Sequence, residues 1–345
     1  MSFGKWLRRG VLLSTVLGAL YVGGCRKSNG IENNTVIQTP YGLYFTDGEG
    51  ALYNTNDGRT IKLDFPVDGS GMRSITTSGP NVLFVKRNVH VSEDNAHHFN
   101  PKDTTANRRA PFQSIMLDVP SHGRVYLCVD SFANSPDKGI KYSEDHGLTW
   151  VVDDSTTGFD TSVHAPYGPS SFAQTRNGDL FAYNNRSGEL IKRTSKTDKW
   201  YLVRNGGPDT TNKKHYFLSH FNNVLLAADT SGGVYYSSNA GQTFAAYPGL
   251  PGAHIVSVAA PFEQTLLAGT KGAGIYRLVN GSFVAANNGL APNSIVYAIA
   301  GKDDTYKNGV IRQYIYIATN TGLYRSEDGG ENWTLQYPGD MRRVF

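Results

Sequence analysis

The chain has 345 residues, 39% of them hydrophobic and 18% charged, so it can bury a core and is not of the disordered class. The formal net charge is +4, but Lys5, Arg8 and Arg9 supply three of those charges in a leading segment with no acid. The rest is close to neutral, which excludes the broad basic footprint of a nucleic-acid-binding protein.

Residues 1–24 read as a targeting segment. Lys5, Arg8 and Arg9 form a basic region and Val11 to Val22 an apolar one. That run is too short to span a bilayer, which takes about 20 apolar residues. It ends in Val22-Gly23-Gly24-Cys25. An aliphatic residue and two small ones directly before a cysteine resemble a bacterial lipobox. The resemblance implies that Cys25 is the lipidated first residue of the mature chain. The membrane is then a partner through acyl chains, each buried CH₂ contributing about 0.8 kcal/mol. Residues 25–34 would be a linker. Arg26 and Lys27 after the cysteine, with no Asp, favour the outer membrane. The other cysteine, Cys128, lies in the apolar run Val125 to Val129 and reads as a small core residue.

From residue 35 onward the chain repeats. Seven short apolar-aromatic segments fall into one column: Leu52 to Thr55, Val89 to Ser92, Ile140 to Ser143, Leu190 to Arg193, Val234 to Ser237, Ile275 to Leu278 and Leu323 to Ser326. Their ends are spaced by 37, 51, 50, 44, 41 and 48 positions. Upstream of each lies another strand pattern, such as Val82 to Val85 or Val224 to Ala228, and before most of these one more, such as Ile255 to Ala259. A fourth follows. Short β-branched and aromatic runs bounded by Gly, Asn and Asp make a meander. Four strands per unit of about 40–50 residues make a propeller blade. The expectation is an all-β, seven-bladed β-propeller over residues 35–340, opening with a strand at Val36-Ile37. Residues 341–345 are left as a tail, and Arg342 to Phe345 find no place in the pattern.

Directly after the column, one octapeptide recurs. It reads Ser143, Asp145, Gly147, Thr149 and Trp150; then Ser326, Asp328, Gly330, Asn332 and Trp333; and more loosely Ser237, Asn239, Gly241, Thr243 and Phe244. In a degenerate copy His98 takes the Thr place and Phe99 the aromatic place. Placed at the hairpin between third and fourth strands, the Asp can accept backbone N–H bonds and the Gly can supply positive φ. The aromatic packs between sheets. These roles are structural. The pattern resembles the Asp-box, or bacterial neuraminidase repeat, and the chain resembles the sialidase-like β-propeller superfamily over residues 35–340. Members include sialidases, xyloglucanases, sortilin-type receptors and a photosystem II assembly factor, so the resemblance implies fold rather than function.

The resemblance also implies that ligands meet the face opposite the box. The blade-to-blade connections there run through residues 64–74, 100–113, 153–170, 203–216, 247–254 and 286–294. Candidate binding residues are Arg73, Arg108, Arg109, His164, Tyr167, Lys213, Lys214, His215 and His254, a basic and aromatic set on long loops. A sialidase site would need three converging arginines and an Arg-Ile-Pro motif; Arg73-Ser-Ile does not match it. Asp153, Asp154, Asp160 and Asp209 offer no pairing that marks a glycosidase, and they read as turn residues. No metal site, cofactor or catalytic constellation is expected. The sequence reading is a membrane-tethered, non-catalytic binding or assembly scaffold of the bacterial cell envelope, its partner an envelope protein or glycan. The alternative is a carbohydrate-active protein, either glycan-binding or an atypical glycosidase.

Overall fold

The computed structural model describes residues 43–345 apart from 56–59, 63–73, 86–88, 95, 97, 104–113, 130–138, 154–170, 185–187, 209–215, 230, 251, 253 and 306–309. Its strands are the short Val-, Ile-, Leu- and Tyr-rich runs of the repeat, broken by Gly, Asn and Asp turns. Blade 1 uses β1 (Leu43–Asp47), β2 (Leu52–Thr55) and β3 (Thr60–Lys62); blade 2 uses β4 (Ser74–Ser78), β5 (Asn81–Val85), β6 (Val89–Ser92) and β7 (Asn100–Asp103). Blade 3 has β8 (Ser114–Val119), β9 (Arg124–Val129), β10 (Gly139–Ser143) and β11 (Val151–Val152), with a 3-10 turn at Pro120–His122. Blade 4 has β12 (Ser171–Gln174), β13 (Leu180–Asn184), β14 (Glu189–Arg193) and β15 (Tyr201–Asn205). Blade 5 has β16 (Tyr216–Phe221), β17 (Val224–Asp229), β18 (Val234–Ser237) and β19 (Ala245–Ala246). Blade 6 has β20 (Ile255–Phe262), β21 (Thr265–Thr270), β22 (Ile275–Val279) and β23 (Ser282–Ala285). Blade 7 has β24 (Val296–Thr305), β25 (Ile311–Thr319), β26 (Gly322–Ser326) and β27 (Thr334–Pro338).

The last strand, β28 (Met341–Val344), pairs antiparallel with β1 and completes blade 1. Residues 341–344 are therefore not a tail. They fill the innermost place that the sequence reading assigned to Val36-Ile37, which lies outside the described residues. Val344 faces Phe45 across the ladder, and Tyr44 and Phe345 exchange backbone bonds of 2.9 and 2.8 Å. Met341 and Val344 are buried in one cluster with Leu43, Phe45 and Tyr314. Closure by an early and a late strand removes the open edge that a seven-sheet arc would otherwise expose.

Seven apolar clusters hold the ring, one at each blade-blade interface. The alternation of a strand decides which cluster each residue joins. Along β13, Leu180 and Ala182 pack toward blade 3, while Phe181 and Tyr183 pack toward blade 5. Both faces of the middle strands are thus buried, which explains their continuous apolar runs. Each fully buried Leu or Phe contributes roughly 1.5–3 kcal/mol. Cys128 sits in the core between blades 3 and 4. Successive first strands lie side by side around the axis, and serine hydroxyls stitch three of these contacts. Ser74 Oγ accepts the Met116 N–H at 3.0 Å, Ser171 Oγ accepts the Leu218 N–H at 2.6 Å, and Ser257 Oγ donates to the Val296 carbonyl at 2.8 Å.

Candidate functional site

First and third strands of a blade run in the same direction. The hairpins that end them, including every octapeptide, therefore share one face of the ring. The octapeptides have one hydrogen-bond scheme. In blade 3, Ser143 Oγ donates to Asp145 at 2.7 Å and accepts the Gly147 N–H at 2.7 Å. Asp145 also accepts the Thr149 N–H at 2.8 Å and the Thr149 hydroxyl at 2.5 Å. In blade 7, Ser326, Asp328, Gly330 and Asn332 repeat this scheme, with Asn332 Nδ2 donating to Asp328 at 2.6 Å. In blade 5, Asn239 replaces the carboxylate: it accepts from Ser237 and the Thr243 N–H, and its Nδ2 donates to Thr243 Oγ1 at 2.8 Å. Blade 2 keeps the scheme with changed residues. Ala96 takes the glycine place at φ 67°, and His98 Nδ1 meets Asp94 at 2.6 Å.

These acids are held by donors, not poised for chemistry. Burial works against the ionised form of Asp328, but bonds from the Asn332 N–H and side chain, Ser326 and Glu331 outweigh it and bring its pKa to about 2. Asp145 is lowered in the same way, with Thr149 and Ser143 as the donors. Trp150, Phe244 and Trp333 lie with the inter-blade clusters. The Trp333 indole donates to the Ala286 carbonyl at 2.9 Å. Blade 4 has lost the octapeptide. Its Trp200 donates at 3.0 Å to Asp153, which also receives Arg193 at 2.6 Å, and both charged side chains are 3% exposed. Asp153 is thus a buried ion-pair partner and not the exposed turn residue that the sequence suggested.

Of the loop residues proposed from sequence, Arg73, Arg108, Arg109, His164, Tyr167, Lys213, Lys214 and His215 lie outside the described residues, as do Cys25, Asp154, Asp160 and Asp209. His254 is described. It is exposed just before β20, on the face opposite the octapeptides, and its carbonyl accepts the Lys271 N–H at 2.8 Å.

The large concavity among the described residues is on the octapeptide face, around the axis. It has a volume of about 830 Å³ and is walled by the first strands and first hairpins of blades 3 to 7. The hairpins are tied in sequence. The Arg176 N–H donates to the Asn222 carbonyl at 3.0 Å, and Asn222 Nδ2 donates to the Glu263 carbonyl at 3.2 Å. The Arg176 guanidinium pairs with the Glu263 carboxylate across the groove. Asp118 and Asp303, both half-buried, and the exposed His220 line it as well. Burial raises the pKa of Asp118, against a hydrogen bond from Ser78 and the nearby His146. Burial lowers that of His220, so it is neutral near pH 7. Asp303 Oδ1 is buried without a hydrogen-bond partner. Among the described residues no group of three His, Cys, Asp or Glu side chains is placed to hold a metal ion. Sequence reasoning missed this set. The available signal was a charged residue ending an apolar first strand, as in Ile115-Met-Leu-Asp118.

Fold and groove together define a seven-bladed β-propeller scaffold with an open, mixed-charge axial depression. No family model matches the sequence, and no curated protein matches it. Solved structures do. The chain is similar to YCF48 bound to D1 peptide, at 12% identity with a TM-score of 0.52, covering 84% of this chain and 94% of that one. It is similar to YCF48 from Cyanidioschyzon merolae, at 13% and 0.51, covering 84% and 98%. It is also similar to a streptogramin B lyase, at 14% and 0.52, covering 85% and 94%. At such identities the likeness is one of fold, shared by a peptide-bound protein and an enzyme.

Proposed function

We propose that the chain is a lipid-tethered, non-catalytic binding scaffold of the bacterial cell envelope, built on an Asp-box propeller of the sialidase-like superfamily. The observation that carries the binding role is the axial groove. It is wide and open, spanned by the Arg176–Glu263 pair and lined by Asp118, His220 and Asp303. Both signs of charge on one concave surface suit a polar polypeptide segment, whose backbone and charged side chains need partners of both kinds. A propeller of the same fold has been solved with a peptide bound, which supports this type of ligand. The tether rests on the Val22-Gly23-Gly24-Cys25 motif.

Two measurements test the reading. Cys25→Ser should move the chain from the membrane to the soluble fraction; unchanged retention would remove the tether. Full-length chain should retain an envelope protein that Arg176→Glu no longer retains. Equal recovery by both would remove the groove from the binding role.

One observation favours the carbohydrate-active alternative. Burial raises the pKa of Asp118, which shares the groove with Glu263, Asp303, Phe172 and Phe262, and carboxyl groups held in unlike environments within one groove are what glycoside hydrolysis uses. Turnover of a glycan by the native chain, abolished in Asp118→Asn, would replace the scaffold reading with this one.

A further inference from the structure

Two consecutive arginines on β28 have unlike surroundings. Arg342 is fully engaged: its guanidinium pairs with Asp340 at 2.6 Å and stacks over the Tyr297 ring at 4.2 Å. The ladder skips it, since Thr46 pairs with Arg343 and Asp47 with Met341. This bulge lets Met341 and Val344 both reach the core and leaves Arg343 opposite Thr46. Directly opposed residues share a face, with Cβ atoms about 5 Å apart. Tyr44, two residues from Thr46 and on the same face, packs against Val82 and Phe84 of blade 2. Arg343 therefore projects from β28 on the blade 2 side, into the axis of the ring.

The space it enters is a chamber of about 270 Å³ between the first strands of blades 1, 2, 3, 4 and 7. Arg343 keeps solvent-exposed surface where it lines this open space, with protein packed around it. Burial alone pulls its pKa down, with no acid contributing. The other walls are mostly apolar side chains: Ile75, Met116, Leu117, Phe172, Ala298, Val344 and Phe345, the last with its terminal oxygen taken up by the Tyr44 N–H at 2.9 Å. Two hydroxyls join them, Ser74 and Ser171. Each already accepts a backbone N–H, so its O–H proton is available to an acceptor in the chamber. Thr46 Oγ1, opposite Arg343, is buried with no hydrogen-bond partner. A cation with no ion pair among the described residues, two hydroxyls lining the same space and an apolar remainder form an incomplete set. The missing member is an anionic acceptor with an apolar body.

We propose that the axial chamber binds a small carboxylate with an apolar body, its carboxylate on the Arg343 guanidinium and its body against Met116, Leu117 and Phe172. A cavity of about 150 Å³ accommodates benzene, so this chamber has room for a short aliphatic or single-ring acid. The chamber adjoins the mixed-charge groove and shares Leu117 and Phe172 with it, but among the described residues Arg343 is the one charged side chain in its lining, and the test reads that charge alone.

Isothermal titration of the full chain with benzoate, and with its neutral isostere benzamide, decides the matter. Benzoate should bind, and benzamide should bind at least about 10-fold more weakly, a difference of about 1.4 kcal/mol. Arg343→Met should lose benzoate to the same degree, whereas Arg342→Met should keep it. Benzamide as tight as benzoate, or sulfate as tight as benzoate, would overturn the proposal, as would absence of benzoate binding to the native chain. The ligand pair is read on unaltered protein, so the result stands even if an arginine variant fails to close the ring.

Discussion

Removing the Asp153 carboxylate should be one of the most damaging single changes available in this propeller. Asp153 and Arg193 lie 2.6 Å apart with side chains 3% exposed, at the joint between blades 3 and 4. The remaining guanidinium donors reach the Ser195 and Lys196 carbonyls at 2.9 and 2.7 Å, and the Trp200 indole shares the carboxylate at 3.0 Å. In Asp153→Ala two neutral carbonyls would be left to compensate a buried cation, and the indole N–H would lose its acceptor. Breaking a buried pair from one side costs about 3–5 kcal/mol, and the orphaned indole lies within that figure because the two losses share one oxygen. At roughly 2–4 °C per kcal/mol for large domains, the thermal midpoint should fall by about 10 °C. Asp153→Leu combined with Arg193→Met should recover most of the loss, since an apolar pair of similar volume needs no charge compensation. Urea unfolding of the native chain, both single variants and the double variant gives the coupling directly. A cost below about 1 kcal/mol for Asp153→Ala would mean that water reaches Arg193, and the account of this joint would fail.

The octapeptide and the closure strand yield further expectations. Gly147→Ala should destabilise more than Ala96→Gly, because a Cβ at Gly147 lies 2.1 Å from Leu83 Cδ2 while Ala96 already tolerates φ 67°; circular dichroism melts of both would show it, and equal costs would count against the clash. Ser143→Ala should cost about 1–3 kcal/mol by stranding the buried Gly147 N–H, and a neutral result in denaturant titration would contradict that role. Deletion of 341–345 should open the ring between blades 1 and 7 and raise proteolysis there above that of the native chain; an unchanged digestion pattern would mean that β28 does not latch the fold. Stability should be full above about pH 4 and decline as pH falls toward 2, because Asp328 and Asp145 titrate lower when folded than unfolded, so the unfolded state takes up protons first. Asn at both positions should flatten that slope, and an unaltered slope would place the acid sensitivity elsewhere.

Much of the fold was legible because the repeat is a local object. Ser143, Asp145, Gly147, Thr149 and Trp150 contact one another within eight residues, so their spacing alone carries the hairpin. The same locality let His98 be placed at the threonine position, where it bonds Asp94. Blade 4 shows the limit. Its Trp200 falls on the expected column, but its partner Asp153 comes from the preceding blade, 47 positions away. The groove was less legible still. Asp118, His220 and Asp303 stand on three different blades, and no spacing along the chain announces that their strands end at one axis.

The amino-acid sequence alone determined the number of blades, the strand order within blades 2 to 7 and the face on which the octapeptides lie. Those properties follow from periodicity and from turn chemistry, which act over a few residues. Only the tertiary structure decided how the ring closes and what the axis contains. Met341 to Val344 carry no octapeptide and stand apart from the repeat, yet pairing with β1 across nearly the whole chain makes them the innermost strand of the first blade. That same pairing turns Arg342 toward Asp340 and Tyr297 and commits Arg343 to the axial chamber. Alternation along the strand sends the two adjacent arginines to opposite faces, and the bulge beside them lets Met341 join Val344 in the core; a bulge depends on the partner strand as much as on its own residues.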